Sequence, residues 1–176
     1  KDFLLFSGTA WFFSNIRMNQ TLDYLFIDEA GQVSLANTIS MATSSKNLVL
    51  IGDQMQLSQP IRGTHEGYAK LSSLDYILED RDTISPEQGI FLRETRRLNK
   101  KICKYISDSF YDSRLIPHEV TKIRSVKLGL NNIKDQGIFF IPTDHFGNSQ
   151  RSDEEAQIIY DYYSKIMMKN FEDENG

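Results

Sequence analysis

The chain has 176 residues, of which 40% are hydrophobic and 11% aromatic; this is enough apolar material for one ordinary domain or two small ones and excludes a wholly disordered chain. Its net charge of −4 is unlike that of a globally basic nucleic-acid binder. The single cysteine, Cys103, excludes an internal disulfide and a cysteine-based zinc cluster. No apolar run approaches the roughly 20 residues that span a bilayer, so we expect no membrane partner and a cytoplasmic location.

Short apolar runs alternate with stretches of helical periodicity along the chain. The runs predict strands at 3–6, 24–27, 48–51, 90–92 and 138–141. Helices are predicted at 33–42, at 68–78 with Leu71, Leu74 and Leu78 on one face, and at 98–110 with Leu98, Ile102, Tyr105, Ile106 and Phe110 on one face. A last helix opens at Ser152, with Glu155 completing a capping box and Ile159, Tyr163 and Ile166 facing inward. Continuous apolar strands separated by helices indicate an α/β fold, a parallel sheet with helices on both faces.

Acidic residues directly follow two of these predicted strands. The stretch LFIDEAGQ places Asp28 and Glu29 after an apolar run, and Asp53 follows the next strand. Ligands of open parallel sheets bind beyond the carboxyl ends of the strands. An aspartate there suits Mg²⁺, which takes one or two carboxylates with waters and phosphate oxygens, and an adjacent glutamate can polarise a water. A buried acid satisfied by an arginine or a helix N-terminus is an equally open interpretation of these residues.

The stretch IGDQMQLSQP adds neutral polar groups at the same predicted edge. Gly52 allows a sharp turn, and Gln54 and Gln56 follow it. Glutamine both donates and accepts hydrogen bonds, which suits contact with a phosphate or a water without added charge. In the absence of a ligand the same residues would form only a polar loop.

Several stretches, taken in order, resemble motifs of superfamily 1 helicases. DEAGQ, GDQMQLSQP and LRETRRLNKKI resemble motifs II, III and IV, and the likeness runs from about residue 6 to 156. It is greatest to the branch that contains the RNA-decay helicase Upf and the replication nuclease–helicase Dna. More narrowly, SGTAWFF, LDYLFIDEAGQVSLAN, GTHEGYAKLSSLDYIL and SPEQGIFLRETRRLNKKICKYISDSFYDSRL are similar to prokaryotic RecB-like nuclease–helicase fusion proteins.

The resemblance implies a RecA-like motor of the P-loop NTPase type, which hydrolyses ATP with Mg²⁺ between two lobes and moves on single-stranded nucleic acid. Residues 1–85 would be the second half of lobe one, with motifs Ic to III, and residues 86–176 the first half of lobe two, with motif IV. The expected fold is therefore a truncated three-layer RecA-like sheet. Because the chain contains no G-x-x-x-x-G-K-[ST] loop, we expect it to lack appreciable ATPase activity by itself.

The resemblance also implies roles for individual residues at the nucleotide. Asp28 would hold Mg²⁺ through water, Glu29 would be the general base, and Gln56 would contact the γ-phosphate. Asp53 and Gln32 would contribute to binding the nucleotide.

Arg97 would act as an arginine finger from the second lobe. Register, counted back from Phe110 and Tyr111, favours Arg97 over Arg96, which stands where the family usually has an aromatic residue. Thr9 and Trp11 would touch the backbone of the single strand; Trp11 could also stack on a base, whereas we expect Phe12 or Phe13 in the core.

A basic cluster surrounds Arg97. Arg96, Arg97, Lys100 and Lys101 fall in the first turns of the predicted helix, where the helix dipole makes cations cost about 0.3–1 kcal/mol each. A bound phosphate would offset that cost, so we interpret Lys100 and Lys101 as nucleic-acid contacts. A solvated charged face is the alternative interpretation.

The partners follow from these interpretations. We expect single-stranded nucleic acid, and the nuclease–helicase likeness favours DNA. The strand at 48–51 would have an unpaired apolar edge, which predicts cover by a rearranged segment or by self-association. Two alternatives stay open: a Mg²⁺-binding receiver-like signalling domain, which would need a lysine where Pro142 and Thr143 follow a late strand, and a non-catalytic nucleic-acid-binding module.

Overall fold

The structure is a computed structural model that describes residues 5–57, 66–126, 128, 136–167, 169, 171 and 172. The chain divides into two compact units, Lys1–Ile84 and Ser85–Gly176. The first contains α1 (Ala10–Phe13), β1 (Leu22–Ile27), α2 (Leu35–Ala42), β2 (Ser45–Leu50) and α3 (Ser73–Leu78). The second contains β3 (Glu94–Thr95), α4 (Lys100–Phe110), β4 (Ile116–Pro117), β5 (Ser125–Val126), α5 (Asp153–Ile166) and β6 (Phe171–Glu172). Short 3-10 helices lie at Ile16–Met18, Gly67–Lys70 and Glu119–Thr121.

The first unit is built around the parallel pair of β1 and β2. In their register Leu25 lies opposite Leu48 and Ile27 opposite Leu50. Leu25 and Ile27 share a hydrophobic core with Ala30, which follows β1, and with residues of all three α-helices: Phe13, Met41, Leu74 and Leu78. The carboxyl end of β1 is thus fixed by buried side chains immediately before Asp28.

Only one face of β1 is buried, contrary to the expectation of a strand covered on both sides. Leu25 and Ile27 are 4% and 6% exposed, whereas Tyr24 and Phe26 are 59% and 64% exposed. The three helices of this unit all contribute to the core on the Leu25 face. The alternation is that of a sheet with one covered face.

The described strands form three two-stranded sheets, and a three-layer RecA-like sheet is not present among them. β1–β2 and β3–β4 are parallel, and β5–β6 is antiparallel. The predicted strands at 90–92 and 138–141 are wrong, since these segments have no regular structure and much of their apolar surface is exposed. Of the strand predicted at 3–6, residues 3 and 4 lie outside the described part, and residues 5 and 6 are irregular. The fold is a mixed α/β arrangement with small parallel sheets.

The helix predicted at 68–78 is broken at residue 71 by a helix cap. The Ser72 hydroxyl accepts a hydrogen bond from Asp75 N at 3.0 Å, and the Asp75 carboxylate accepts one from Ser72 N at 3.2 Å. This capping box starts α3 at Ser73 and leaves Gly67–Lys70 as a separate 3-10 helix. Leu74 and Leu78 are buried, which confirms the predicted inner face of α3.

The buried face of α4 differs from the one that periodicity predicts. Cys103 and Ser107 are 0% and 3% exposed, whereas Tyr105 and Phe110 are 56% and 41% exposed. The Ser107 hydroxyl accepts a hydrogen bond from Leu115 N at 2.9 Å, and Cys103 Sγ lies 3.7 Å from the Leu115 carbonyl. Small side chains at these positions let the segment that leads into β4 approach the helix closely.

The last helix, α5, starts where the sequence predicts but exposes the residues that were predicted to face inward. The Ser152 hydroxyl accepts a hydrogen bond from Glu155 N at 3.2 Å, so Ser152 is the N-cap. The Glu155 carboxylate instead lies 3.1 Å from His145 Nε2. Ile159 and Tyr163 are 67% and 57% exposed, so the prediction of an inward face for α5 is wrong for the described residues.

Two further findings concern surfaces. β2 pairs with β1 and with no other strand that the structure describes. Among the helices of the described ranges, none combines the length and apolar character needed to cross a membrane.

Candidate functional site

The chain turns sharply at the carboxyl end of β1, where Asp28 and Glu29 lie. Ile51 N donates to the Ile27 carbonyl at 2.9 Å, and Ala30 N donates to the Ile51 carbonyl at 2.8 Å, so the contact between the two segments continues past the strands. Between these two bonds Glu29 adopts a left-handed backbone with φ of 54°. Both acidic side chains are exposed as a result.

Backbone packs directly on backbone between the two loops that follow β1 and β2. A Cβ added to Gly31 would lie 2.3 Å from the Asp53 carbonyl oxygen, and one added to Gly52 would lie 2.7 Å from Ala30 N. Only glycine therefore fits at either position without a shift of the backbone. Sequence reasoning found the turn at Gly52 but missed Gly31, although a glycine inside DEAGQ was a visible signal.

Neither Asp28 nor Glu29 is committed to an ion pair with any residue of the described ranges. Asp28 Oδ1 accepts a hydrogen bond from Glu29 N at 2.9 Å, and its second oxygen has no such partner there. The alternative that these acids are buried and satisfied by an arginine or a helix N-terminus is wrong, since both are exposed. The two carboxylates are instead presented at the edge of the sheet.

Asp53 organises the loop after β2. Its Oδ1 accepts a hydrogen bond from Met55 N at 3.0 Å, and its Oδ2 accepts one from Gln56 Nε2 at 3.3 Å. In the loop after β1, the N–H of Gln32 donates to the Glu29 carbonyl at 2.8 Å and closes a turn. The Gln54 amide donates to the Asp82 carbonyl. The residues predicted around the nucleotide thus lie on two touching loops.

The carboxylates at this edge fit a cation that is already bound to water or to phosphate oxygens. Within the described residues no group of three or more histidine, cysteine or acidic side chains could hold a metal ion. Mg²⁺ commonly takes one or two protein carboxylates and completes its shell with waters and phosphate oxygens. The exposed carboxylate of Asp28, with one oxygen uncommitted within the described part, matches that second arrangement.

The short helix α1 presents the residues predicted to touch nucleic acid. Thr9 is its N-cap and makes no side-chain capping bond, although its carbonyl accepts hydrogen bonds from Phe12 N and Phe13 N. Trp11 is 88% exposed, whereas Phe13 is 7% exposed and belongs to the core. The hydroxyl of Thr9 and the indole of Trp11 therefore face solvent.

In the second unit the basic cluster lies partly outside the helix, contrary to the sequence interpretation. Asn99 is the N-cap of α4, and its Oδ1 accepts hydrogen bonds from Lys101 N and Ile102 N, both at 3.1 Å. Its carbonyl accepts one from Cys103 N. Arg97 precedes the cap, and Lys100 begins the helix. Because Asn99 already binds these backbone donors, a phosphate would interact here with side chains.

The backbone at Arg97 is held on both sides. Its N–H donates to Thr95 Oγ1 at 3.2 Å, and Arg124 Nη1 donates to the carbonyls of Arg96 and Arg97 at 2.9 and 3.4 Å. The Arg97 side chain is exposed and lines a cavity of about 440 Å³ together with Arg124 and Phe139. Sequence reasoning missed Thr95 and Arg124, since neither belongs to a recognisable spacing.

Comparison with known proteins points to helicases. The chain is 30% identical, over 148 residues or 80% of its length, to DNA polymerase alpha-associated DNA helicase A of Schizosaccharomyces pombe. It is 34% identical, over 98 residues or 53% of its length, to a probable helicase with zinc finger domain of Danio rerio. These similarities support a helicase superfamily.

The matches cover only a small part of each relative. The chain spans 21% of the length of the fission-yeast relative and 5% of the zebrafish relative. No family model and no solved structure matches the chain. The helicase-like character is thus supported at the level of the superfamily by the relatives.

Proposed function

We propose that this chain is part of an ATP-driven translocase on single-stranded nucleic acid, and that residues 28–32 and 53–56 form the edge that binds the triphosphate. The observation that carries the proposal is the direct packing of the two loops, with the Asp53 carbonyl occupying the space beside Gly31. This contact holds both acidic residues and the glutamine of the second loop at one end of a parallel strand pair. The helicase names of the relatives favour it over a receiver-like domain.

Each residue at the edge has a role that its surroundings support. Mg²⁺, when bound with ATP, would neutralise phosphate charge, and Asp28 would hold it through water. Glu29 would take a proton from the water that attacks the γ-phosphorus, as the bond to the β–γ bridging oxygen breaks. Its exposed carboxylate, free of ion pairs with the described residues, supports this role as a base.

The remaining residues at the edge would position the nucleotide. Gln56 would contact the γ-phosphate. Its side-chain amide donates a hydrogen bond to Asp53 and can exchange that bond for one to a phosphate oxygen. Asp53 and Gln32 would keep the two loops in place, through the hydrogen bonds that each makes within its own loop.

The basic cluster of the second unit would supply positive charge. Arg97 would stabilise charge that develops on the phosphates, as an arginine finger does. Its side chain is exposed while its backbone is fixed, which is the condition for a charged group that must reach a ligand in a set position. Lys100 and Lys101 are exposed and would contact a nucleic-acid backbone. In the first unit Thr9 and Trp11 are exposed and would have the same role.

The test is ATP hydrolysis by the full-length protein, with and without single-stranded DNA or RNA. We expect nucleic-acid-stimulated activity that falls by about 10²–10⁴-fold in Glu29→Gln, with nucleotide binding retained. The exposed Glu87→Gln is the matched control and should behave as wild type. The 176-residue chain alone should show no appreciable ATPase activity.

Three results would overturn the proposal or parts of it. Wild-type activity in Glu29→Gln would remove Glu29 as the base. A full-length protein that binds single strands without hydrolysing ATP would be a non-catalytic binding module. Robust hydrolysis by the isolated chain would show that the expectation of an incomplete nucleotide site is wrong.

A further inference from the structure

We propose that Arg124 is a positioning residue that fixes Arg97, so that it controls catalysis without touching the nucleotide. The inference rests on the proposed function, since it needs Arg97 to act on the phosphates. Arg124 directly precedes β5 and lies 27 residues from Arg97 in sequence. Its guanidinium nevertheless bonds to the main chain of the loop that carries Arg97.

Arg124 donates two hydrogen bonds to the main chain of Arg96 and Arg97. Nη1 donates to the Arg96 carbonyl at 2.9 Å and to the Arg97 carbonyl at 3.4 Å. Arg124 is half-buried, whereas Arg96 and Arg97 are both exposed. A hydrogen bond from a charged guanidinium to a carbonyl oxygen is stronger than one between neutral groups.

A second anchor acts on the same turn from the other side. Thr95 Oγ1 accepts hydrogen bonds from Arg97 N at 3.2 Å and from Leu98 N at 3.4 Å. The N–H of Arg97 is thus hydrogen-bonded to Thr95, and its carbonyl is hydrogen-bonded to Arg124. With the backbone held in this way, the Arg97 guanidinium moves mainly by rotation about its side-chain bonds. Thr95 is itself held in β3, which pairs with β4 through Thr95 and Pro117.

Fixing the backbone matters because a charged group stabilises a transition state only in a narrow range of positions. A misplacement of about 1 Å by a distant change can cost roughly 100-fold in rate. Loss of the Arg124 hydrogen bonds would free the loop and let the Arg97 guanidinium sample other positions. The expected signature is a lower kcat with little change in the KM for ATP.

The experiment is a double-mutant cycle on the nucleic-acid-stimulated ATPase of the full-length protein. Arg124→Ala should lower kcat by about 10–100-fold, and Arg97→Ala by about 10³-fold or more. The double variant Arg97→Ala/Arg124→Ala should be no slower than Arg97→Ala, because Arg124 acts only through Arg97. Arg124→Lys should recover part of the rate, since an ammonium also donates to carbonyls. Arg151→Ala, an exposed arginine paired with Asp153, is the control and should be neutral.

The outcomes separate the inference from the proposed function. If the losses of kcat in the two single variants add in the double variant, or if Arg124→Ala leaves kcat unchanged, Arg124 is not a positioning residue. Neither result would change the role proposed for Arg97. A wild-type rate of ATP hydrolysis in Arg97→Ala would show that Arg97 is not an arginine finger, and the inference about Arg124 would then be wrong as well. If Arg124→Ala does not fold, Thr95→Val carries the test: it removes the other anchor and should also lower kcat without adding to Arg97→Ala.

Discussion

The α-carbon of Gly31 faces the carbonyl oxygen of Asp53 so closely that a Cβ on Gly31 would lie 2.3 Å from that oxygen. The residue before Gly31 donates its N–H to Ile51, so the same loops are also joined by a hydrogen bond of 2.8 Å. The two loops that carry the proposed ATP-binding residues therefore form one packed structure. Changes that separate them should affect stability and nucleotide binding together.

Gly31→Ala should destabilise the protein because its methyl group meets backbone that cannot rotate away. Overpacking of this kind costs about 1–3 kcal/mol. Gly67→Ala is a suitable comparison, since a Cβ there meets nothing within 4 Å and only the positive φ of 61° opposes it. Urea unfolding should show a larger loss of free energy for Gly31→Ala than for Gly67→Ala. Equal losses would indicate that the loops separate readily.

Asn99→Ala should lower stability through the loss of the α4 cap. The Asn99 side chain binds the N–H groups of Lys101 and Ile102, and such caps contribute about 1 kcal/mol. Asn99→Asp is the matched control, because aspartate caps equally well and favours the positive end of the helix dipole. Unfolding can be followed by the reaction of Cys103, the single thiol, which is buried in the same helix. A loss in Asn99→Asp as large as in Asn99→Ala would contradict the cap.

The thiol of Cys103 should make stability depend on pH in the alkaline range. Burial raises its pKa above the ordinary value of 9.0, so the folded state keeps a proton that the unfolded state releases. The contribution is fully present below about pH 9 and is lost as pH rises through the raised pKa of the folded state. As pH rises above about 9, the free energy of unfolding should therefore fall more for wild type than for Cys103→Ala. Parallel curves would argue against a protonated buried thiol.

The sequence was informative where short-range chemistry decides the structure and misleading where long-range pairing does. Ser72, Asn99 and Ser152 cap helices because their side chains reach backbone donors a few residues away. The apolar runs at 90–92 and 138–141 resemble strands locally, yet a strand needs a partner edge that these residues do not find in the described part of the chain. Composition carries no information about such partners.

The same distinction explains the site. The acidic and glutamine residues after β1 and β2 were predicted to lie together from their place at strand ends, and the parallel pairing of the strands brings those ends together. Arg124 was missed because its hydrogen bonds to the Arg97 loop depend on how a segment of irregular sequence folds back. No periodicity or motif in the sequence predicts that this segment lies against the Arg97 loop.

Leu48→Lys should reduce self-association if the second edge of β2 is an interface. This edge lacks a partner strand among the described residues, and Leu48 is 38% exposed. A lysine on an edge strand opposes pairing with another strand. Sedimentation equilibrium of the isolated chain should show dimers or larger species that dissociate in Leu48→Lys and persist in Ser40→Lys, which adds the same charge to the exposed face of α2. A wild-type chain that is monomeric at high concentration would remove this interface.

Trp11 provides a direct readout of nucleic-acid binding because it is the only tryptophan and is 88% exposed. Stacking of a base on the indole should quench its fluorescence, and Trp11→Ala should weaken binding of an oligothymidine by about 1–3 kcal/mol. Ile16→Ala, an exposed apolar residue nearby in sequence, should leave binding unchanged. Lys101→Ala should lower the salt dependence of binding by about one counterion without changing the quenching at saturation. Binding without quenching would place the strand away from α1 and leave the basic cluster as its contact.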